Sequence, residues 1–306
     1  MYTFKHATMK LTIFSKAFLI LLLAGGWSAC KDEKLNITTP PVGLGGDSTG
    51  TTPTDVFIHD NLTVPYNIAV YYKWQPGMLD FPFDIVPPLE AQVKPSLEAL
   101  IAVTFKPYND QTGSTAFLRK YLPKTLKLAG TGQYESNGSL ILGQAEGGTA
   151  MLLYELNKFT RQAKDSGVLK EMGHTMHHEF GHILNQNIMY PVSFRSITPG
   201  YTGNWFNVTD QDARKEGFIS AYAESDPSED FVEMVATMLI GGRNGLSGYD
   251  DYEKIMAEQT GGPGSESYNQ LRAKEAAVVD YFAKAWKIDF YALQRRCRLE
   301  LTAYFQ

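Results

Sequence analysis

The segment His178-Glu179-Phe180-Gly181-His182 constrains this chain more than any other stretch of its 306 residues. Side chains four apart on an α-helix stand one turn above each other on the same face, so a helix here aims both imidazoles at one metal ion. Glu179 is turned about 100° from His178. Its carboxylate therefore misses the ion and reaches a water held there, which is where a general base must sit. The spacing alone is weak, because six His in 306 residues and a Glu frequency of about 6% yield such a pattern by chance in roughly one chain per hundred. Its context adds what the spacing lacks. Met172, Met176, Phe180, Ile183 and Leu184 recur at helical spacing, roughly opposite the row His174, His178, His182, which predicts one face packed on a core and the other lining a cleft. His174 shares that face, and its roles as ligand, as a supporting hydrogen-bond partner or as an exposed side chain are open. His177 points elsewhere, structural or exposed.

A catalytic zinc takes three protein ligands and leaves a fourth position to water. The segment from Tyr222 to Leu239 supplies candidates. Phe231, Met234, Val235, Met238 and Leu239 form a second helical stripe, with Glu229 and Glu233 four apart on the opposite face. Two roles compete for Glu229. Asp226 as N-cap, Pro227 at the first helical position and Glu229 at the third would make a capping box that engages Glu229 without any metal. Alternatively Glu229 is the third ligand that His178 and His182 still lack.

The set His178-Glu-Phe-Gly-His182 followed by Glu229-Asp-Phe-Val-Glu233 resembles the gluzincin metallopeptidases. It is most similar to the zinc-binding lipoproteins of Bacteroidetes described as substrate-import-associated metallohydrolases, and to the catalytic domain of anthrax lethal factor. The resemblance implies a Zn2+ centre of His178, His182 and Glu229, with Glu179 as general base and Glu233 bracing a histidine ligand. It further implies that Tyr222, seven residues before the third ligand, stabilises the oxyanion, and that the substrate is a peptide or protein. The rival reading is a non-catalytic surface binding lipoprotein of a TonB-dependent import system with a structural or vestigial zinc. Glu179 separates the two, since a structural site has no use for a base beside its first histidine.

Residues 1–30 are expected to be an address. Lys5, Lys10 and Lys16 precede the apolar run from Ala17 to Ala24, and small residues lead to Cys30, the layout of a secretory signal too short to span a bilayer. Trp27-Ser-Ala-Cys30 resembles a bacterial lipobox, though with Trp where Leu is usual. That implies a lipid anchor on Cys30. Lys31-Asp-Glu-Lys34 resembles the acidic export tags of Bacteroidetes surface lipoproteins, which implies an outer-membrane location and a link to a TonB-dependent transporter. Residues 31–54, rich in Thr, Gly and Pro, read as a flexible tether.

Residues 55–306 then form one metallohydrolase domain. The whole chain, at 43% hydrophobic and 20% charged residues, contains ample material for a core. A net charge of −5 leaves no basic excess, so nucleic acid is not an expected partner. No serine-nucleophile elbow or phosphate loop is present, and Cys297 reads as a half-buried helix residue. Strands are predicted at 67–74, 126–129, 139–143 and 149–154, with short helices at 95–105 and 114–121. From Val168 the pattern is mostly helical, ending in a helical region over 265–304. The expected class is α+β: a zincin-like domain with a small mixed sheet, an active-site helix and a helical C-terminal region.

Overall fold

Thr52 starts the first helix with a capping box. Its hydroxyl accepts from the Asp55 N–H, the Asp55 carboxylate accepts from the Thr52 N–H, and Pro53 fills the first position, where no N–H is needed. The protein is represented by a computed structural model, which describes residues 51–73, 85–134, 140–141, 143–146, 149–160, 166–241 and 252–304. Helix α1 runs through Pro53–Ile58, a π turn at His59–Thr63 and Val64–Tyr66. It ends where Asn67 turns left-handed, φ 58°. That turn shortens the strand expected from residue 67 to β1, Ala69–Tyr71, while Trp74 lies outside the described residues.

Strands β1, β2 (Thr125–Leu128) and β6 (Ala150–Leu153) run parallel in that spatial order, and β5 (Gly143–Glu146) pairs antiparallel with β6 at the edge. A separate antiparallel pair joins β3 (Gln133–Tyr134) to β4 (Leu140–Ile141). All four residues of β6 are buried, as a strand covered on both faces requires. The crossover from β1 to β2 is helical. Helix α2 runs through Glu90–Leu100, a π turn at Ile101–Phe105 and Lys106–Thr112, and α3 is Ala116–Tyr121. The rest is helix: α4 (Ser166–Asn187), α5 (Asp210–Lys215), α6 (Pro227–Gly241), α7 (Tyr252–Glu258), α8 (Glu266–Tyr281) with a π turn at Phe282–Trp286, and α9 (Phe290–Tyr304). The expected α+β class therefore holds, with a mixed sheet small beside the helical half.

The predicted stripe of α4 is buried, and Phe180 sets its ring edge-on against Tyr108 of α2 and Phe117 of α3. Helix α6 departs from the two-faced pattern expected of it. From Asp230 to Gly241 it is buried at every position but Thr237, because α4, α7, α8 and α9 pack around it. Two glycines set its distance from α4. A Cβ on Gly181 would stand 2.9 Å from Val232 Cγ1, and one on Gly173 would stand 2.9 Å from Ile240 Cδ1. The pairs 181 with 232 and 173 with 240 make the helices antiparallel.

The first turn of α6 is also tied to α8 by a fully buried ion pair, Lys274 Nζ to Asp230 Oδ2 at 2.6 Å. The ammonium also donates to the Gly217 carbonyl at 2.8 Å and lies 4.3 Å from the centre of the Phe218 ring. The Tyr201 hydroxyl donates to the same carboxylate oxygen at 2.9 Å. Burial pushes the Asp230 carboxyl up to about 6 and the Lys274 ammonium down, each against the pull of its partner.

Three substitutions test this packing, each read as a shift in the urea-unfolding midpoint at constant m. Gly181→Ala drives a methyl into the stiff, branched Val232 and should destabilise by about 1–3 kcal/mol. Gly173→Ala meets only the mobile tip of Ile240, so the helix-propensity gain of about 1 kcal/mol should leave it neutral or better. Lys274→Met, which strands the Asp230 carboxylate, should destabilise by about 3–5 kcal/mol.

Candidate metal centre

Antiparallel packing carries the α4 residues at 178 and 182 past the α6 residues at 233 and 229, so a step of four up one helix meets a step of four down the other. Three donor atoms converge there. His178 Nε2 and His182 Nε2 are 3.2 Å apart, and Glu229 Oε2 lies 3.1 Å from the first and 3.2 Å from the second. Glu229 is thus turned to the histidines, away from the capping role that competed for it. The helix start is served by Asp226, whose Oδ1 accepts the Ser228 N–H at 2.8 Å and the Ser228 hydroxyl at 2.6 Å.

The chemistry of this donor set fits a divalent cation. His178 Nδ1–H donates to Glu233 Oε1 at 2.7 Å, so in the neutral ring Nε2 presents a lone pair to the Glu229 oxygen and to His182 Nε2. With His182 in the tautomer that leaves its Nε2 unprotonated, three acceptors meet here, and they repel one another unless positive charge sits among them. Tetrahedral zinc with bonds of about 2.0–2.1 Å separates its ligands by roughly 3.3–3.4 Å, close to the edges of this triangle. The ionisation of the residues agrees. Burial alone would lower the pKa of His178, but hydrogen bonds to Glu229 and Glu233 outweigh it and raise the ring to about 10. Burial would raise Glu233, yet His174, His178 and Ser220 hold it down at about 2, and Glu229 falls well below the carboxylate range against the same penalty because of His178 and His182. The site favours positive charge inside a ring of carboxylates.

Glu179 is 8% exposed, and its charge is felt by both His178 and Tyr222. The Tyr222 ring stacks on His178 with centroids 5.9 Å apart and takes the edge of Trp205 at 4.9 Å. Burial first, then the charges of Glu229, Glu233 and Glu179, push its phenol well above 10, so it keeps its proton at neutral pH. On the other side of Glu233, a cavity of about 720 Å³ opens between α4 and α6, with His174, Thr175, Ser220, Tyr222 and Lys254 in its walls.

The remaining sequence candidates fall outside the triangle. His174 Nε2 is 3.7 Å from Glu233 Oε1 and 3.5 Å from the Thr237 hydroxyl, a neighbour of the centre rather than a member of the donor set. His177, 1% exposed, lies 3.8 Å from Cys297 Sγ and beside the Tyr108 ring. Cys297, expected to be half-buried, is fully buried at 1% exposure, because α9 lays it against α4. Burial pushes its thiol far up and His177 down to about 3, so both stay neutral and unreactive. Cys30 lies outside the described residues. Sequence reasoning missed Ser220, whose hydroxyl donates to Glu233 Oε2 at 2.6 Å. It also missed the pairing of Asp230 with Lys274. A lone Ser in a loop and a Lys on a distant helix carry no periodic or spacing signal.

Residues 47–291 match the sequence profile of a family described as "putative zinc-binding metallo-peptidase". A solved structure of similar fold is that of a "putative zinc-binding metallo-peptidase" from Bacteroides caccae ATCC 43185, with a TM-score of 0.64 and 24% identity, covering 82% of this chain and 92% of that one. No curated protein matches. Identity at that level speaks for the fold; the profile, which spans most of the chain, speaks for kinship, and its description suits a donor set that fits zinc. The chain belongs to this family of zinc-binding metallo-peptidases.

Proposed function

We propose that this protein is a zinc-dependent peptidase of the gluzincin kind, with the metal held by His178, His182 and Glu229. The observation that carries the reading is the triangle of donor atoms, 3.1–3.2 Å on each edge, with the buried carboxylate of Glu179 on the same turn of α4. When bound, zinc supplies Lewis acidity, polarising the scissile carbonyl and making water acidic enough to attack near neutral pH. Glu179 accepts the proton of the attacking water and passes it to the leaving amine. Tyr222, which keeps its proton, donates a hydrogen bond to the carbonyl oxygen as that atom gains charge. Glu233 holds the Nδ1–H of His178 and so fixes the ring that presents Nε2 to the metal.

Substrate binding follows from two neighbours of the centre. Strand β5 is the sheet edge and lies on α4 so closely that a Cβ on Gly143 would meet Thr175 Cγ2. Its outer side, which pairs with no other strand among the described residues, offers backbone groups to an extended peptide by β-augmentation, which asks for no particular side chain. The cavity beside Tyr222 receives a side chain next to the scissile bond.

The same reading makes the protein an outer-membrane lipoprotein, anchored through Cys30, tethered by residues 31–54 and supplying a TonB-dependent transporter with hydrolysed peptide. The support is the lipobox-like Trp27-Ser-Ala-Cys30 with the acidic, Thr/Gly/Pro-rich stretch after it. Among the described residues no helix is long and apolar enough to cross a membrane.

Digestion of a complex peptide library by the purified protein, read by mass spectrometry beside Glu179→Gln, tests the catalytic reading. New termini should appear with the wild type, and the variant should lose about 10²–10⁴ in turnover while keeping its zinc. Indistinguishable digests from folded, zinc-loaded proteins would leave the non-catalytic binding lipoprotein as the better account. For the anchor, Cys30→Ala should abolish incorporation of labelled fatty acid in cells and move the protein from the membrane to the soluble fraction. Unchanged labelling would remove the lipoprotein reading.

A further inference from the structure

Glu233 presents two oxygens, and only one of them faces His178. Its Oε1 accepts from His178 Nδ1 at 2.7 Å, and its Oε2 accepts from the Ser220 hydroxyl at 2.6 Å. Ser220, 8% exposed, sits in the segment between α5 and the single 3-10 turn Tyr222–Glu224. Its oxygen in turn accepts the Ala223 N–H at 3.2 Å. The direction of every link is fixed by chemistry. An ionised carboxylate only accepts, so the single proton of the hydroxyl goes to Glu233 and its lone pairs are left for the backbone N–H.

We propose that Ser220 is a positioning residue, which locks the orientation of the metal ligand His178 and the placement of Tyr222 to each other through one hydroxyl. The proposal rests on the zinc-centre reading above and adds to it a residue that neither coordinates nor touches the ion. The terminal torsion of a Glu side chain is broad and roughly two-fold. With a donor on each oxygen, the Glu233 carboxylate cannot rotate without losing one of them, and the imidazole it holds is fixed with it. At the other end, the same hydroxyl pins the backbone of the turn that carries Tyr222, whose ring stacks on His178. A second anchor, the Ala221 N–H donating to Asp210 Oδ1 at 2.9 Å, steadies this segment from the other side. His174 does not replace Ser220. Its Nε2 is 3.7 Å from Glu233 Oε1, beyond hydrogen-bonding distance and on the wrong oxygen.

The test is zinc affinity, measured by competition with a chromophoric chelator on the full chain, beside steady-state kinetics on a cleaved peptide. Ser220→Ala should raise the zinc dissociation constant about tenfold and lower kcat more than it changes KM. Ser220→Thr, which keeps the hydroxyl, should restore the affinity to within a few-fold of wild type. Ser220→Cys, similar in size but a weak donor, should behave like the alanine variant, and it carries the test if the alanine variant does not fold. In a Glu233→Gln background the Ser220→Ala effect on zinc affinity should shrink to less than about twofold, because the two residues act through one another. A zinc-binding wild type matched by an equally tight Ser220→Ala would overturn the relay alone, as would an undiminished effect in the Glu233→Gln background. A wild type that takes up no zinc would overturn the metal centre and the relay with it.

Discussion

Two helices that run antiparallel at a separation only glycine permits place residues four apart on one opposite residues four apart on the other. In this protein that geometry brings His178 and His182 of α4 to Glu233 and Glu229 of α6. The close approach at Gly181, under Val232, therefore helps make a three-atom donor set out of two sequence-distant segments. Had position 181 carried a bulky side chain, α6 would be pushed away from α4 at Val232 and the carboxylate of Glu229 drawn back from the imidazoles with it. Packing precedes chemistry here: the apolar stripes of both helices hold the pair together, and the polar rows meet because the stripes do.

Three acidic residues within five positions of α6 each take a different task. Glu229 turns to both histidines, Glu233 to His178 and Ser220, and Asp230, about 100° round the helix from Glu229, to Lys274 and Tyr201. The division follows the helix rotation, since adjacent residues point about 100° apart while those four apart share a face. Burying two carboxylates, Asp230 and Glu233, and half-burying a third, Glu229, on one helix is tolerable because each has a cationic or hydrogen-bonding partner at close range. The Lys274 pair ties the first turn of α6, which also carries Glu229, to α8.

Much of this was legible before any coordinates. The spacing of His178, Glu179 and His182, the paired glutamates and the apolar stripe of α4 are local patterns, and local periodicity survives folding. The strands expected at 126–129 and 149–154, aliphatic segments set off by glycines, form at Thr125–Leu128 and Ala150–Leu153. What could not be read is what depends on contacts between distant segments. Helix α6 looked two-faced and is buried nearly all round, because its second cover comes from α7, α8 and α9 far along the chain. Cys297 looked half-buried for the same reason. Helix α1 has no clean period, interrupted as it is by a π turn. Tertiary packing is also what turns the Glu229 carboxylate toward two imidazoles, a choice against its own helix start that no local pattern announces.

The two middle positions of the histidine motif are commonly treated as wildcards, yet here they are among the most restricted in the chain. Phe180 wedges between Tyr108 and Phe117, and Gly181 lies under Val232. The motif is a surface-matching pattern as well as a set of ligands. A relative that kept both histidines and the glutamate but replaced this glycine with a bulky residue would carry every recognised letter of the chemistry and still be unable to assemble it.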